Sequence, residues 1–573
     1  MHIAPIQFEV IRNALLEATE EMAIALRRSA YSTNIKTRAD FSCAFFDRDL
    51  RPVAQAFTQP VHLGSLTILT PRAVREYGPE NLREGDAILV NDPYRGGVHL
   101  NDITLIAPVY CGGELFGYVA NLAHHVDVGG GAPASIGAFQ QVYQEGIIIP
   151  PGKLVEEGEI AADVFELVIA QIRSKRETRG DFRAQVAANH SGIRRLQGLV
   201  AQVGFETVAF YMDRLVEYTR ERTVAELASL PRGEFAAAGV IDNDGFTDEP
   251  VKLAVRVVID DDGVLFDLTG CDPQRRAPVN STYSQTFAAC AYVLKCLIDR
   301  DVPVNAGFYE QVRLQAPEAT VVNCTAPSPV VGGWETQVRL TDIIFQALHP
   351  AMPERVPAAT KGTMCQVGFG GTDPRSGQLY AYYETMAGGY GGRSSKDGPD
   401  AVQCHGQNTE NAPIEEIEIN YPLRIDRYEL IENSEGAGAY RGRLGLRRDY
   451  RFPNHEVSFT VLSDRDRWGP PGLAGGQAGQ VAEYILDPEG TSEKIGSKVT
   501  IALEADTVFS YRTCGGGGYG SPLQRDPAAV AADVREGKVS AERAREIYGV
   551  VIEDGMVNAA ATAALRKERG DGV

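Results

Sequence analysis

The sequence predicts a multi-lobed α+β protein, in which an N-terminal lobe with a candidate metal site precedes helical and glycine-rich, β-rich regions. Three observations support this prediction. Apolar residues recur at helical spacing near the N-terminus and between residues 159 and 231, whereas strand-like alternation begins near residue 232. The segment 360–520 is rich in glycine and in strand-like runs. Because 573 residues exceed what one hydrophobic core accommodates, we expect three or more lobes.

The N-terminal lobe, residues 1–158, begins with a predicted amphipathic helix from Pro5 to Tyr31. The apolar face of this helix consists of Phe8, Ile11, Leu15, Ala18, Met22 and Leu26. Predicted strands follow at 40–46, 87–90, 103–110 and 115–122. The last two strands form a predicted hairpin, because Gly112 and Gly113 between them readily adopt the positive φ of a tight turn.

The rest of the chain divides by its hydrophobic pattern. Residues 251–258 and 264–268 alternate as strands do, and Pro527 lies near the start of a final helical pattern. We therefore predict a helical region at 159–231, an α/β region at 232–415, a glycine-rich β region at 416–525 and a helical tail at 526–573.

Composition excludes several classes of function. The formal net charge of −20 argues against nucleic acid as a partner, because phosphate neutralisation needs basic patches. The sequence has neither an N-terminal export signal nor an apolar stretch of eighteen residues. Nine cysteines without framework spacing are typical of a reducing compartment. We expect a cytoplasmic protein that binds neither nucleic acid nor a membrane.

Imidazoles and carboxylates are concentrated at the open end of the predicted hairpin. A two-residue loop pairs Cys111 with Glu114. His124 then lies opposite Asn101, whereas a longer loop that includes Glu114 places it opposite Asp102. Either register is expected to bring together His99, Asp102, His124, His125 and Asp127. Histidines at strand ends often bond to an aspartate without any metal, but this many clustered polar groups favour a Zn²⁺ or Mn²⁺ site.

Glycines form two further candidate sites. Gly96 and Gly97 beside the hairpin, and Gly389 and Gly391 in a GGYGG segment, could bind phosphate or substrate through backbone amides. They could equally be needed only for turns with positive φ. The GxGxxG spacing at 515–520 lacks the long helix of a dinucleotide site, and no GxxxxGK[ST] loop occurs. If ATP is used, this chain supplies no recognisable phosphate loop for it.

Several long motifs resemble those of the hydantoinase B/oxoprolinase family, in family order along nearly the whole chain. These motifs are TRADFSCAFFD (37–47), NDPYRGGVHLNDI (91–103), HHVDVGG (124–130), DVPVNAGFYEQV (301–312), ETMAGGYGGRSSKDG (384–398), YRGRLG (440–445) and CGGGGYGSPLQRDP (514–527). The resemblance implies a metal centre formed by Asp40, His99, Asp102 and His124. It leaves His125 and Asp127 as candidates for orienting ligands or transferring protons.

The resemblance also implies a function. The family comprises subunits of ATP-dependent enzymes that open cyclic amides such as hydantoins and 5-oxoproline, together with the large subunits of acetone-type carboxylases. We expect a lactam-opening subunit with a hydantoinase A-like partner that uses ATP and Mg²⁺, in a heterotetramer or larger complex. A ketone carboxylase subunit is the alternative, and a non-enzymatic scaffold is a third interpretation.

Overall fold

The computed structural model describes residues 4–570. The N-terminal part contains α1 (Pro5–Ser29), α2 (Thr33–Lys36), β1 (Phe41–Asp47), β2 (Pro52–Gln55), α3 (Pro60–Tyr77), β3 (Ala87–Val90), β4 (Asp102–Cys111), β5 (Glu114–His124), β6 (Gly152–Glu156), β7 (Glu159–Ile160), α4 (Ala162–Ala170), α5 (Lys175–Val203) and α6 (Phe205–Ala228). The strands form one sheet in the order β2-β1-β5-β4-β3-β6-β7. Helices α1 and α5 cover one face of the sheet, and α3 covers the other.

Strand alternation explains this layered arrangement. Residues such as Cys43, Phe45 and Leu105 join the core shared with α1 and α5, whereas Ala44 and Ile106 join the core shared with α3. Because successive side chains of a strand point to opposite faces, both faces are apolar and both need helices. The predicted helical region therefore packs on the N-terminal sheet and shares its core.

The middle part contains β8 (Gly233–Ile241), β9 (Val251–Asp260), β10 (Gly263–Asp267), α7 (Tyr283–Leu297), α8 (Ala306–Tyr309), β11 (Val312–Gln315) and α9 (Gly333–Leu348). Its sheet has the order β11-β10-β9-β8. Helices α7 and α9 pack beside this sheet, and α7 also packs against α3. Nearly every residue of α9 is buried, which places this helix between the middle part and the N-terminal sheet.

The last part contains β12 (Gln366–Thr372), β13 (Leu379–Thr385), α10 (Ile414–Asn420), β14 (Arg424–Leu430), β15 (Leu446–Arg451), β16 (Val457–Leu462), β17 (Glu483–Leu486), β18 (Glu493–Lys494), β19 (Lys498–Leu503), β20 (Val508–Arg512), α11 (Pro527–Arg535), α12 (Ala541–Glu546), β21 (Ile552–Glu553), β22 (Met556–Val557) and α13 (Ala559–Glu568). Two sheets, β13-β12-β16-β19 and β14-β15-β20-β17-β18, share an aromatic core. Phe459 and Phe509, from different sheets, have ring centroids 4.5 Å apart.

The multi-lobed α+β fold is confirmed, and strand pairing crosses one of the predicted boundaries. The boundary at residue 415 separates strands that belong to a single sheet, since β12 pairs with β16 across it. Alternation and glycine content report on local conformation, whereas this pairing joins segments about ninety residues apart. The predicted helical tail also contains the short β21–β22 pair.

Four glycine-rich segments, residues 388–392, 434–445, 469–480 and 514–520, form what we call the glycine layer together with residues 358–361, which bond to them through the backbone. These segments are irregular, yet they hydrogen-bond to one another through their backbones: the amide of Gly392 donates to Gly517 (2.8 Å) and that of Gly436 to Gly516 (2.8 Å). A Cβ atom on Gly515 would lie 1.8 Å from the carbonyl oxygen of Ser434. The layer therefore depends on backbones that approach more closely than any side chain permits.

Between residues 4 and 570, no helix combines the length and the apolar character that crossing a membrane requires.

Candidate metal centre

Three neighbouring strands of the N-terminal sheet end at the same edge, and each contributes a polar side chain there. Asp40 precedes β1, Asp102 begins β4 and His124 ends β5. Asp102 and His124 are paired across the sheet, and the amide of His124 donates to the carbonyl of Asp40 at 3.0 Å. All three occupy even-numbered strand positions, on the face that packs against α3. Strand pairing therefore brings them together.

The hairpin contains both of the pairings between which the sequence left a choice. Cys111 pairs with Glu114 in a two-residue turn, yet Asp102 pairs with His124 at the open end. A β-bulge reconciles the two pairings, because Val109 pairs with residue 117 while residue 110 pairs with 115. Phe116 is thus an extra residue on β5, which shifts the register by one along the rest of the hairpin.

The imidazoles of His62, His99 and His124 all lie beside the carboxylate of Asp102. Asp102 Oδ1 is 2.8 Å from His124 Nδ1, and Asp102 Oδ2 is 3.1 Å from His99 Nδ1. His62 Nε2 lies 3.5 Å from Asp102 Oδ1 and 3.9 Å from Asp40 Oδ1. All five residues are buried. Ligand atoms of His99, Asp102 and His124 lie within 4.8 Å of one another.

The donor set of this cluster fits a divalent metal. Neighbouring ligands around one ion at ~2.1 Å stand roughly 3–3.5 Å apart, and the ligand atoms of His99, Asp102 and His124 are close enough to surround one ion with small side-chain movements. Among residues 4–570, the buried Nε2 atoms of His62, His99 and His124 have no hydrogen-bond partner. Buried nitrogens are rarely left unpaired, so three imidazoles that lie beside Asp102 and each keep an unpaired nitrogen favour a bound ion. Imidazole and carboxylate ligands together suit Zn²⁺ or Mn²⁺.

His62 belongs to this cluster although no sequence pattern selects it. It is the third residue of α3, remote in the chain from the hairpin, and it is fully buried. The helix packs across the face of the sheet on which Asp40 and Asp102 lie, and this packing brings the imidazole to both carboxylates. A lone histidine near a helix start carries no local signal of such a contact.

Aromatic and polar neighbours hold the imidazole rings in place. The indole N–H of Trp334, in the first turn of α9, donates to His99 Nδ1 at 2.7 Å. The ring of Tyr383 stacks on His124 at 4.9 Å, and the guanidinium of Arg38 lies over Tyr383 at 5.3 Å. Such outer contacts fix the orientation of metal-binding imidazoles. Residues from all three parts of the chain therefore enclose the cluster.

The pKa values of the cluster reflect competition between burial and neighbouring charge. Burial opposes ionisation of Asp102, but His124 and His62 outweigh it and hold the pKa of Asp102 well below its ordinary value. Burial also opposes protonation of His124, yet Asp102 and Asp40 raise the pKa of His124. For His62 and His99 burial prevails and lowers the pKa. The cluster thus offers an ionised carboxylate beside His62 and His99, whose imidazoles favour the neutral form that binds a metal, whereas His124 must give up its proton to bind one.

His125 and Asp127 do not lie in the cluster, contrary to the expectation from the sequence. The ring of His125 points to the opposite face of the sheet, where Nε2 bonds to Gln185 of α5 at 2.9 Å. Asp127 accepts hydrogen bonds from the backbone and the guanidinium of Arg173, both at 3.0 Å. Consecutive residues of a strand point to opposite faces, and this alternation continues from His124, the last residue of β5, to His125.

The candidate phosphate-binding glycines are engaged in packing. A Cβ on Gly96 would lie 3.0 Å from Ile68 and Leu69 of α3, and the carbonyl of Gly97 accepts hydrogen bonds from two hydroxyls of the middle part. Gly389 and Gly391 belong to the glycine layer. The amide of Gly389 donates to Cys514, and a Cβ on Gly391 would lie 1.8 Å from the oxygen of Ala358. Close backbone packing thus accounts for these glycines.

Comparison with known proteins places this arrangement in a family. A putative D-/L-hydantoinase subunit from a Pseudomonas strain is 32% identical over 572 residues, covering 96% of each chain. The crystal structure of an ATP-dependent caprolactamase from Pseudomonas jessenii is 29% identical, with a TM-score of 0.92 over 99% of this chain and 100% of that one. Nucleotide-free acetone carboxylase, 20% identical, has the same fold, with a TM-score of 0.89 over 99% of this chain and 83% of the other. The family model described as hydantoinase B/oxoprolinase matches residues 4–522, and the chain belongs to that family.

Proposed function

We propose that the chain is the hydrolytic subunit of an ATP-dependent cyclic amide hydrolase. The buried His99, Asp102 and His124 cluster carries this proposal, because it offers a hydrolytic metal its ligands in a family with a caprolactamase and a hydantoinase. The substrate class is a hydantoin, 5-oxoproline or a related lactam. The reacting species is a carbonyl-phosphorylated intermediate.

The partner in this proposal is a hydantoinase A-like subunit that uses ATP and Mg²⁺. The similar hydantoinase chain is named as one subunit of its enzyme, and the present sequence has no phosphate loop of its own. The two chains would form a heterotetramer or a larger complex in the cytoplasm, where ATP is available. Phosphorylating the amide oxygen removes the amide resonance that makes an unstrained lactam resistant to hydrolysis.

The residues of this chain have distinct roles in ring opening. Asp40, His99, Asp102 and His124 would hold Zn²⁺ or Mn²⁺, which supplies a nucleophilic water at neutral pH and stabilises developing negative charge. The stacked ring of Tyr383 and the indole of Trp334 keep the ligands oriented and exclude bulk water.

Proton exchange in this proposal falls to His62. Neither His125 nor Asp127 reaches the centre, since each is bonded elsewhere. Within the described part of the chain, neither ring nitrogen of His62 has a hydrogen-bond partner, although Nε2 lies beside the carboxylates of the cluster. His62 is therefore the imidazole placed to exchange a proton at the centre.

An isotope experiment tests the proposed function. The complex of both subunits is supplied with ATP and a lactam labelled with ¹⁸O at the carbonyl. We expect the label to reach inorganic phosphate in step with ring opening, since the labelled oxygen leaves carbon together with the phosphoryl group. Ring opening without transfer of label to phosphate would contradict the phosphorylated intermediate.

Two controls accompany this measurement. An Asp102→Ala complex should assemble and still phosphorylate the carbonyl, but release no ring-opened product, because the two half-reactions occur on different subunits. Turnover should not depend on bicarbonate. A requirement for bicarbonate with the amide left intact would identify a ketone carboxylase instead.

A further inference from the structure

A pocket lies away from the metal centre, between β8, α9 and the loop 465–473. Its volume is about 250 Å³. The walls are mainly apolar and include Ile343, Leu473 and the half-exposed ring of Trp468 at the rim. Trp334 of α9 contacts the metal centre, whereas Asp342 of the same helix lines the pocket eight residues later, ~12 Å further along the helix axis. The two sites are therefore distinct.

Two buried guanidinium groups line this pocket, and they differ in how well they are paired. Arg339 donates to the carboxylate of Asp464 and to the carbonyl of Val240. For Arg465, Nε has no hydrogen-bond partner among the described residues, and Nη1 reaches only the carbonyls of the loop at 3.4 Å. Since arginine stays charged in proteins, the pocket holds a buried positive charge whose hydrogen bonds are incomplete.

The nearest carboxylate does not complete the pairing of Arg465. Asp342 Oδ2 lies 3.8 Å from Nη2, beyond hydrogen-bond distance, and its other oxygen accepts the amide of Thr360 at 3.0 Å. Burial and the neighbouring charge of Arg339 lower the pKa of Arg465 to about 10. The backbone of Arg465 has φ of +70°, which costs free energy in any residue except glycine. Backbone strain and an unpaired buried donor thus coincide at one residue.

From this geometry we infer that the pocket binds a small oxyanion, a carboxylate or a phosphate, through the guanidinium of Arg465. A planar guanidinium matches both kinds of oxyanion, and the apolar walls suit a short aliphatic chain on a carboxylate. The inference concerns binding alone and does not rest on the proposed hydrolase function.

The full-length chain provides its own optical probe for a test, because Trp468 lies at the rim of the pocket. The protein is titrated with inorganic phosphate and, separately, with acetate, butanoate and hexanoate, at an ionic strength held constant with chloride. We expect a saturable change in tryptophan fluorescence that Trp468→Phe abolishes. Affinity that rises with chain length identifies a carboxylate site, and preference for phosphate identifies a phosphate site. Either result supports the inference.

Substitutions decide whether the binding is specific to the pocket. Arg465→Met should weaken binding at least ~10-fold. Arg424→Met, which alters an arginine on β14 whose side chain is 67% exposed, should leave it unchanged. Ala238→Phe on β8 fills the pocket without changing its charge and should also weaken binding, which keeps the test valid if Arg465→Met misfolds. No saturable response to any of these anions, or equal binding by wild type and Ala238→Phe, would overturn the inference.

Discussion

The metal centre and the glycine layer are built in opposite ways. In the metal centre the backbone only delivers strand ends and a helix, and side chains of His99, Asp102 and His124 provide the chemistry. In the glycine layer the glycines let backbones approach each other, and segments such as 388–392 and 514–520 bond directly to each other. The first region fails when a side chain is lost, the second when one is gained. A motif rich in histidine and aspartate thus indicates a site of chemistry here, whereas the glycine-rich motifs indicate close backbone packing.

The largest effect is expected from adding one methyl group to the glycine layer. In Gly515→Ala the new Cβ would lie 1.8 Å from the carbonyl oxygen of Ser434, and backbone cannot move aside as a flexible side chain can. We expect the free energy of unfolding to fall by at least ~3 kcal/mol, measured by urea denaturation or as loss of soluble protein.

The matched control for this prediction is Gly198→Ala. Gly198 lies in α5, and outside its chain neighbours and the adjacent helix backbone a Cβ there meets no atom of residues 4–570 within 4 Å. Alanine favours helix over glycine, so this variant should gain ~0.5–1 kcal/mol. Equal stability of the two variants would show that close backbone packing does not govern the layer.

The next effect separates buried histidines on opposite faces of the N-terminal sheet. His99→Ala should lower metal affinity at least ~100-fold while the fold remains intact, because a ligand is lost at the edge of the sheet. His125→Ala should retain the metal but lose ~2–4 kcal/mol of stability, since His125 packs on Phe182 and bonds to Gln185. Metal analysis and thermal denaturation of both variants measure these changes.

A third variant makes this comparison strict. His124 is the neighbour of His125 in sequence, and His124→Ala should behave as His99→Ala does. If His125→Ala lost the metal while His124→Ala kept it, the assignment of faces in this part of the sheet would be wrong.

The smallest effect for each step of the measurement, one pH unit, compares two buried carboxylates that have different neighbours. Imidazoles hold the pKa of Asp102 low, whereas burial raises the pKa of Glu145 to about 8, against hydrogen bonds from the amides of Val330 and Val331. Between the ordinary glutamate pKa and about 8, the folded chain retains a proton that the unfolded chain has lost. Stability from Glu145 therefore falls as pH rises through this window, by at most ~1.4 kcal/mol per pH unit.

The variant Glu145→Gln isolates this contribution. Its amide oxygen can accept the same two backbone hydrogen bonds without titrating. The unfolding free energy of the wild type should therefore fall relative to that of the variant as pH rises from 5 to 8, measured by urea denaturation at each pH. Parallel pH profiles of the two proteins would show that Glu145 is ionised throughout this range.

The sequence predicted the parts of the site that depend on local pairing. A hairpin joins His99, Asp102 and His124 within 26 residues, and turn glycines and alternation are enough to bring them together. Asp40 came from family resemblance, because its strand pairs with β5 over a long sequence separation. His62 could not be predicted, since only the packing of α3 across the sheet brings it there.

The same distinction applies to long-range contacts elsewhere in the fold. The pairing of β12 with β16 crosses the predicted boundary at 415 and leaves no local pattern in the sequence. Gly389 and Gly391 were candidates for phosphate binding because sequence shows which residues are glycine but not which backbone faces them. In both cases the sequence did not reveal a contact between segments that are distant in the chain.

The bulge at Phe116 has a consequence for how this hairpin tolerates insertion and deletion. The bulge shifts the pairing of β5 with β4 by one residue. His124 therefore lies opposite Asp102, whereas the two-residue turn without a bulge would place it opposite Asn101. Deleting Phe116 would remove the bulge and leave His124 opposite Asp102, whereas deleting one paired residue between Phe116 and His124 would place His125 opposite Asp102 and turn His124 towards α5. The hairpin can therefore lose its bulge residue and keep the same ligand pair, but a one-residue deletion in the paired part of β5 between the bulge and His124 would replace His124 by His125 at the metal centre.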